Sequence, residues 1–146
     1  MNQMLDFLRV RTQRSHSETF VIDVKDGRPF TALGSLVRRL VHPLTTGSSQ
    51  LGVSICLMEP GERVRRHRHP YEEAYFVVSG QGRMFLEGAE EEVELVPGRA
   101  VYVAPGRVHG QINDGDEILT ILCSLSPPPV EGDPPDFQGP DPKEGP

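Results

Sequence analysis

The chain contains 146 residues, a length typical of one domain that buries a core without disulfide bonds. Its 15 glycines and 14 prolines argue against a helical bundle or a coiled coil. The formal net charge of −6 offers no broad positive surface for nucleic acid, and no apolar run is long enough to span a membrane. The N-terminus shows no signal-peptide pattern, so we expect a soluble, cytoplasmic protein without nucleic-acid or membrane partners.

The chain divides into three segments by pattern. Residues 1–17 form an N-terminal segment whose apolar residues have helical spacing over 1–9, which predicts a short amphipathic helix. From 18 to 126, short β-branched or aromatic runs alternate with turn signals such as Pro60-Gly61 and Pro97-Gly98. These runs are TFVIDV, SLVRRLVH, LGVSICLM, EAYFVV, RMFLE, EEVELV, AVYVA, VHGQIN and EILTILCSL. Their spacing leaves no room for helices between strands and predicts an all-β sandwich or barrel.

Residues 127–146 form a tail of different composition. It holds 8 prolines and 3 glycines with few apolar residues, so it has too little apolar surface to fold by itself. We expect it to lie extended against the body or a neighbouring subunit, with Phe137 as the anchor.

The two cysteines, Cys56 and Cys123, lie within apolar runs. We interpret them as buried core residues rather than as a disulfide or a reactive thiol, because a reducing cytoplasm disfavours disulfides.

Three histidines and a glutamate carry the chemistry that the sequence predicts. His67 and His69 are two residues apart, so on an extended strand both imidazoles project from one face and converge on one metal ion. Glu73 follows a bend at Pro70, and His109 follows a Pro-Gly turn much later in the chain. Such a nitrogen and oxygen ligand set suits Fe, Mn, Co, Ni, Cu or Zn as the divalent ion, and the residue types do not choose among them.

These segments resemble the two conserved motifs of the cupin superfamily. Gly61, His67, His69, Glu73 and Gly80 match every spacing of the first motif. Gly98, Gly106, His109 and Asn113 match the second, in which Ala104 replaces a proline and Arg99 an acidic residue. The resemblance implies a double-stranded β-helix (jelly-roll) barrel in which the glycines and Asn113 shape turns.

The resemblance further implies that His67, His69, Glu73 and His109 bind one divalent metal. Glu72 competes for the carboxylate role, but strand alternation separates it from Glu73 and the motif spacing favours Glu73. A barrel with a polar cluster and no metal remains an alternative, because some cupins lack one.

The family implies two functions from different classes. The first is a metal-dependent enzyme of the dioxygenase, isomerase or decarboxylase type, acting on a small oxygenated organic molecule with Glu73 as ligand or base. The second is a non-catalytic module that binds or senses a small molecule or a metal. Single-domain members commonly pair through their outer sheets, so we expect a homodimer.

Neighbours of the predicted ligands extend the candidate site. Period-two alternation places Arg65, Tyr75 and Gln111 on the ligand face, either to orient a substrate or to pack within the barrel. The arginines at 63, 65, 66 and 68 suit either an anionic substrate or a solvated edge. His16 and His42 lie outside both motifs and are expected at the surface or an interface.

Overall fold

The computed structural model of the protein describes residues 20–32, 34–129 and 136–137. The strands in these ranges are β1 (Arg28–Ala32), β2 (Ser35–Val41), β3 (Gly52–Met58), β4 (Arg63–Arg68), β5 (Glu72–Ser79), β6 (Gly82–Leu86), β7 (Val93–Leu95), β8 (Ala100–Val103), β9 (His109–Ile112), β10 (Leu119–Ser126) and β11 (Asp136–Phe137). The helical structure there is a single 3-10 turn, Val24–Asp26, so these ranges hold no helix long and apolar enough to cross a membrane. The predicted all-β class is confirmed.

The strands form two antiparallel sheets that pack face to face. The first sheet has the order β1-β2-β3-β10-β5-β8, and the second has the order β11-β4-β9-β6-β7. Strands that are distant in the chain are neighbours in each sheet, as β3, β10 and β5 show, which is the crossed connectivity of a double-stranded β-helix. This connectivity brings β4 and β9, which carry the two histidine motifs, side by side.

Apolar alternation with a period of two places the core between the sheets. In β3 every second residue is buried, and in β10 the side chains of Leu119, Ile121 and Cys123 face inward. Val77 of β5 and Met84 of β6 are fully buried against the same core. Burial of each such side chain stabilises the fold by about 1.5–3 kcal/mol, which is why the alternation selects one face of each strand.

One expected strand is absent, and one observed strand was not expected. The run TFVIDV does not form a strand, because residues 20–23 are irregular and 24–26 form the 3-10 turn. Conversely β1 is a strand that the pattern did not indicate, because Pro29 reads as a strand breaker. Proline lacks the N–H that a central strand needs, but β1 lies at the edge of its sheet, where one side of the strand makes no ladder bonds.

The terminal segments are described only in part. The predicted helix over 1–9 lies outside the described residues, and the boundaries at 17 and 126 stay predictions. In the tail, the backbone of β11 pairs with β4, with Asp136 opposite Arg68 and Phe137 opposite His67. This part of the tail therefore lies against the body beside a histidine motif.

Candidate metal centre

The fold gathers the four predicted ligands from three strands and one connection. His67 on β4 lies directly opposite His109 on β9, and their ring centroids are 4.3 Å apart. His69 follows the end of β4, and Glu73 lies on β5 in the other sheet. All four side chains are buried, and one ring nitrogen from each histidine lies within 4.8 Å of the other two. The cluster is compatible with a metal ion.

Each of the three histidines is oriented by a backbone carbonyl. The Nδ1 atoms of His67, His69 and His109 lie 2.6, 2.9 and 2.9 Å from the carbonyl oxygens of Arg65, Tyr71 and Arg107. A carbonyl oxygen only accepts, so each Nδ1 carries the proton and donates it. In the neutral ring Nε2 then keeps a free lone pair, the state that a metal ligand requires. The ring of Tyr71 stacks on His69 at 3.9 Å and holds its plane.

Glu73 places a carboxylate among these lone pairs. Its Oε2 lies 2.9 Å from Nε2 of His69 and 3.7 Å from Nε2 of His109, and it accepts a hydrogen bond from Tyr75 Oη at 3.0 Å. Burial opposes ionisation of Glu73, but hydrogen bonds from His109 and His69, in the state in which both nitrogens of each ring carry a proton, outweigh it and lower the pKa of Glu73 to about 2. A carboxylate facing an imidazole lone pair is repulsive unless a cation or a second proton lies between them. Nε2 of His109 is buried with no hydrogen-bond partner among the described residues, so the donor set fits a divalent cation.

Protonation of His67 destabilises the metal-free protein. Burial, followed by the neighbouring ring of His109, lowers the pKa of His67 from 6.5 to about 4. The unfolded chain therefore binds a proton that the folded chain rejects, so this contribution to stability is complete above pH 6.5 and is lost as pH falls towards 4.

We expect the free energy of unfolding of the metal-free protein to fall by roughly 2 kcal/mol between pH 6.5 and 4.5 on account of His67. Urea denaturation in the presence of a chelator measures this difference. In His67→Gln the loss over the same interval should shrink by that amount, because glutamine does not titrate. An equal loss in both proteins would contradict the assignment.

A cavity of about 100 Å³ extends from His67 and Glu73 into the space between the sheets. Two predicted substrate-pocket residues, Tyr75 and Gln111, line it and are buried. The amide oxygen of Gln111 has no hydrogen-bond partner among the described residues, so it is available to accept one from a ligand. The thiols of Cys56 and Cys123 also line the cavity, and burial, followed by the charge of Glu73, raises the pKa of Cys56 to about 12. Both thiols are free, buried and protonated, as expected for core residues.

The placement of Arg65 on the ligand face is wrong. The pairing of β4 with β9 shifts register between Val64 and His67, so an extra residue of β4 bulges out. Val64 therefore shares the inner face with His67, and the side chain of Arg65 is exposed. The two strands are also very close here, since a Cβ on Gly110 would lie 2.9 Å from the backbone of Val64.

The arginines next to the histidine motif do not line the cavity. Arg66 stacks over the ring of Phe85 at 3.8 Å, and Arg63 donates to the carbonyl of Gly61. Glu72 is exposed and accepts a hydrogen bond from Tyr102, which leaves Glu73 as the inward-facing carboxylate of the pair.

Other cavity residues were missed from the sequence. Arg39 and His42 are buried and line the cavity, although His42 was expected at the surface or an interface. Its Nδ1 accepts from the backbone N–H of Leu44, so Nε2 carries the proton and donates to the carbonyl of Pro129. Neither residue belongs to a motif. The one feature that could have predicted their burial is their position on or next to the inward side of β2.

The predicted turn residues occupy turns. Gly61, Gly80, Gly98 and Gly106 all have φ between 77° and 86°, the left-handed region. Asn113 is fully buried, and its side chain donates to the carbonyls of Met58 and Glu117 and accepts from the N–H of Gly115. It therefore holds the end of β9 to the end of β3 and to the connection that precedes β10. The turn at residues 104–107 is also intact, although Ala104 stands where the family motif has a proline. The backbone N–H of Arg107 still donates to the carbonyl of Ala104.

Comparison with known proteins agrees with this fold. A family model described as a cupin domain matches residues 54–125. The polyketide synthase CurC of Streptomyces cyaneus is 33% identical over 108 residues, covering 73% of this chain and 69% of CurC. The polyketide cyclase RemF of Streptomyces resistomycificus has the same fold, with a TM-score of 0.69 at 20% identity over 86% of this chain and 91% of RemF. A predicted oxalate decarboxylase of Thermotoga maritima also has this fold, with a TM-score of 0.64 at 18% identity. The match covers 75% of this chain and 100% of the Thermotoga maritima chain. The chain belongs to the cupin superfamily.

Proposed function

We propose that the protein is a metal-dependent enzyme that acts on a small oxygenated organic molecule. His67, His69, Glu73 and His109 would hold one divalent transition-metal ion, which is Fe, Mn, Ni, Co, Cu or Zn. The observation that carries the proposal is the convergence of carbonyl-oriented imidazoles and a buried carboxylate at the wall of an internal cavity.

The residues of the proposed site have different roles. When bound, the ion would act as a Lewis acid or redox centre towards an oxygen-containing ligand. Glu73 serves as ligand or base, and Tyr75 Oη, which donates to its Oε2, holds the carboxylate in place. Burial, followed by the negative charge of Glu73, raises the pKa of Tyr75, so the phenol remains a donor. Gln111 accepts a hydrogen bond from the substrate, and apolar side chains such as Val64 and Leu125 exclude water.

The named relatives support an oxygenated substrate without choosing the reaction. CurC and RemF carry names of polyketide biosynthesis, and the Thermotoga maritima protein carries that of a decarboxylase of a small acid. All three names concern oxygen-rich organic compounds. Dioxygenase, isomerase and decarboxylase activities remain the candidates.

Anaerobic purification followed by metal analysis tests the proposal. We expect about one transition-metal ion per chain and turnover of at least one class of oxygenated organic acid or phenol, monitored by oxygen uptake and by product analysis. Glu73→Gln should abolish turnover, whereas Glu72→Gln should keep it, because Glu72 faces outward. Absence of metal would refute the proposal. Metal with tight ligand binding and no turnover would favour the non-catalytic sensing module instead.

We also propose a homodimer that forms through the outer face of the first sheet. Ile55, Leu122 and Phe76 are cross-strand neighbours on three adjacent strands, and Phe76 is 43% exposed. Val78 and Tyr102 extend this apolar face. An apolar face of this kind marks an interaction site, and an antiparallel pair of identical sheets satisfies two-fold symmetry.

Phe76→Glu should raise the dissociation constant of the dimer by about thirtyfold or more, because a charge would be buried at the centre of the interface. Sedimentation velocity over a concentration series measures the constant. Glu94→Lys, a charge change on β7 of the other sheet, is the matched control and should leave it unchanged. A wild-type protein that stays monomeric at high concentration would contradict the proposal.

A further inference from the structure

The amide oxygen of Gln111 is an unsatisfied hydrogen-bond acceptor in the wall of the cavity. Gln111 is 2% exposed and lines the same cavity as His67 and Glu73, and its Oε1 has no hydrogen-bond partner among the described residues. Leaving a buried acceptor unpaired costs stability, so most buried polar atoms in proteins are hydrogen-bonded. An unpaired acceptor in a cavity wall therefore indicates a ligand that completes its hydrogen bond.

The position of Gln111 is fixed by the sheet that carries it. β9 is an inner strand of the second sheet, and Gln111 pairs with Val64 of β4 on one side and with Met84 of β6 on the other. Strand alternation places Gln111 on the same face as His109, so their Cα atoms lie about 6.5–7 Å apart. A ligand that bonds to Gln111 is therefore held beside the candidate metal centre.

The neighbouring donors of the chain are committed to other acceptors. Tyr75 Oη donates to Oε2 of Glu73 at 3.0 Å. The Nδ1 atoms of the three clustered histidines donate to backbone carbonyls, and the thiol of Cys123 donates to the carbonyl of Ile121. None of these contacts among the described residues involves Gln111. A donor for its Oε1 therefore has to come from a molecule that enters the cavity.

Apolar side chains form much of the remaining lining and set the size of the ligand. Phe30 and Val37 come from the β1–β2 hairpin, Val64 from β4 and Leu125 from β10, so both sheets contribute. An apolar cavity of about 150 Å³ holds benzene. The cavity here, of about 100 Å³, therefore limits the body of the ligand to about the size of a single six-membered ring.

We propose that Gln111 is the specificity-determining residue of this site and that it selects a small, mainly apolar ligand that carries a hydroxyl group. The hydroxyl group donates to Oε1 of Gln111, and the apolar body packs against Val37, Val64 and Leu125. A molecule of the same shape without a donor leaves the amide oxygen unpaired and binds less tightly. This inference names the substrate class of the proposed function and rests on that function only in treating the ligand as a substrate.

Fluorine NMR of the full-length protein in the presence of a chelator tests the hydroxyl recognition directly. The probes are para-fluorophenol and para-difluorobenzene, which have nearly the same shape, and of the two only the phenol has a donor. We expect the phenol to bind at least about tenfold more tightly. A cavity that is apolar throughout gives the reverse order, because the phenol loses its hydrogen bonds to water on entry. Equal affinities, the reverse order or no binding of the phenol would overturn the proposal.

Variants then assign the preference to Gln111. Gln111→Met removes the acceptor at nearly constant size, so it should lose the tenfold preference and still bind para-difluorobenzene. Its free energy of unfolding without ligand should not fall, because the substitution removes an unpaired buried acceptor. Gln81→Met is the matched control, since Gln81 is exposed and lies outside the cavity lining. A preference for the phenol that persists in Gln111→Met would overturn the proposal.

Metal binding is measured separately so that the two proposals fail independently. Gln111→Met should bind Co²⁺ as the wild type does, seen in visible absorption, because Gln111 is not one of the four candidate ligands. Preference for the phenol without Co²⁺ binding in the wild type would refute the metal-dependent function and leave the role of Gln111 standing. Co²⁺ binding without preference for the phenol would refute the role of Gln111 alone.

Discussion

His67→Ala is expected to reduce the affinity for the divalent ion by more than about a hundredfold. Loss of an outer partner of a ligating histidine already costs 10–100-fold in affinity, so loss of a ligand itself should cost more. His67 also lies directly opposite His109 in the pairing of β4 with β9. Its removal therefore takes away one of the three clustered ring nitrogens and leaves those of His69 and His109. Metal analysis after anaerobic purification and a Co²⁺ titration followed by visible absorption give the affinity.

The adjacent glutamates provide the matched control for this experiment. Glu73→Gln removes a buried carboxylate whose Oε2 lies 2.9 Å from Nε2 of His69, and we expect it to weaken metal binding at least tenfold. Glu72→Gln makes the same chemical change one residue earlier, on an exposed side chain bonded to Tyr102. Loss of metal in Glu72→Gln with retention in Glu73→Gln and His67→Ala would overturn the ligand assignment.

Gly80→Ala is expected to destabilise the protein by about 4 kcal/mol or more, a large share of the 5–15 kcal/mol typical of a domain. Gly80 has φ of 81° between β5 and β6. A Cβ at this position would overlap the carbonyl oxygen of Ile118 and would lie 2.7 Å from the Cα of Leu119. Both contacts are with backbone, which cannot move without shifting the start of β10 against the core.

Gly61→Ala separates the clash from the backbone conformation. Gly61 has nearly the same φ, 84°, but a Cβ there would meet nothing within 4 Å. Its cost should therefore be about 1–2 kcal/mol, the penalty of the left-handed region alone. Urea denaturation of the two variants measures the difference, and equal costs would show that packing around Gly80 contributes nothing.

The candidate site was largely predictable because its ligands are set by local spacing. Gly61 precedes β4, and His67, His69 and Glu73 follow one another along β4, the next connection and β5. Each histidine forms its Nδ1 contact with the carbonyl of a residue two positions away, so its orientation is a local property of the chain. Alternation likewise separates Glu72 from Glu73, since consecutive side chains of a strand point to opposite faces.

The positions that sequence reasoning misplaced depend on contacts between distant segments. Arg65 does not lie on the ligand face because β4 bulges where it pairs with β9, about 45 residues later in the chain. The period-two count that placed it there assumes a regular ladder. Arg39 and His42 joined the cavity because β2 lies in the same sheet as β3, β10 and β5. Nothing in the local sequence of β2 distinguishes its buried arginine from the four arginines of β4, which follow the first motif glycine.

The sequence by itself therefore determined the β class, the glycine turns and the spacing of His67, His69 and Glu73, whereas the pairing of β9 with β4 brings His109 to them. These properties follow from residue spacing, left-handed turns and strand alternation, which act over fewer than about ten residues. Only the tertiary structure decided which further side chains share the cavity. That choice depends on strand register and sheet order, because a shift of one residue in the pairing of β4 with β9 exchanges an arginine for a valine at the wall of the site.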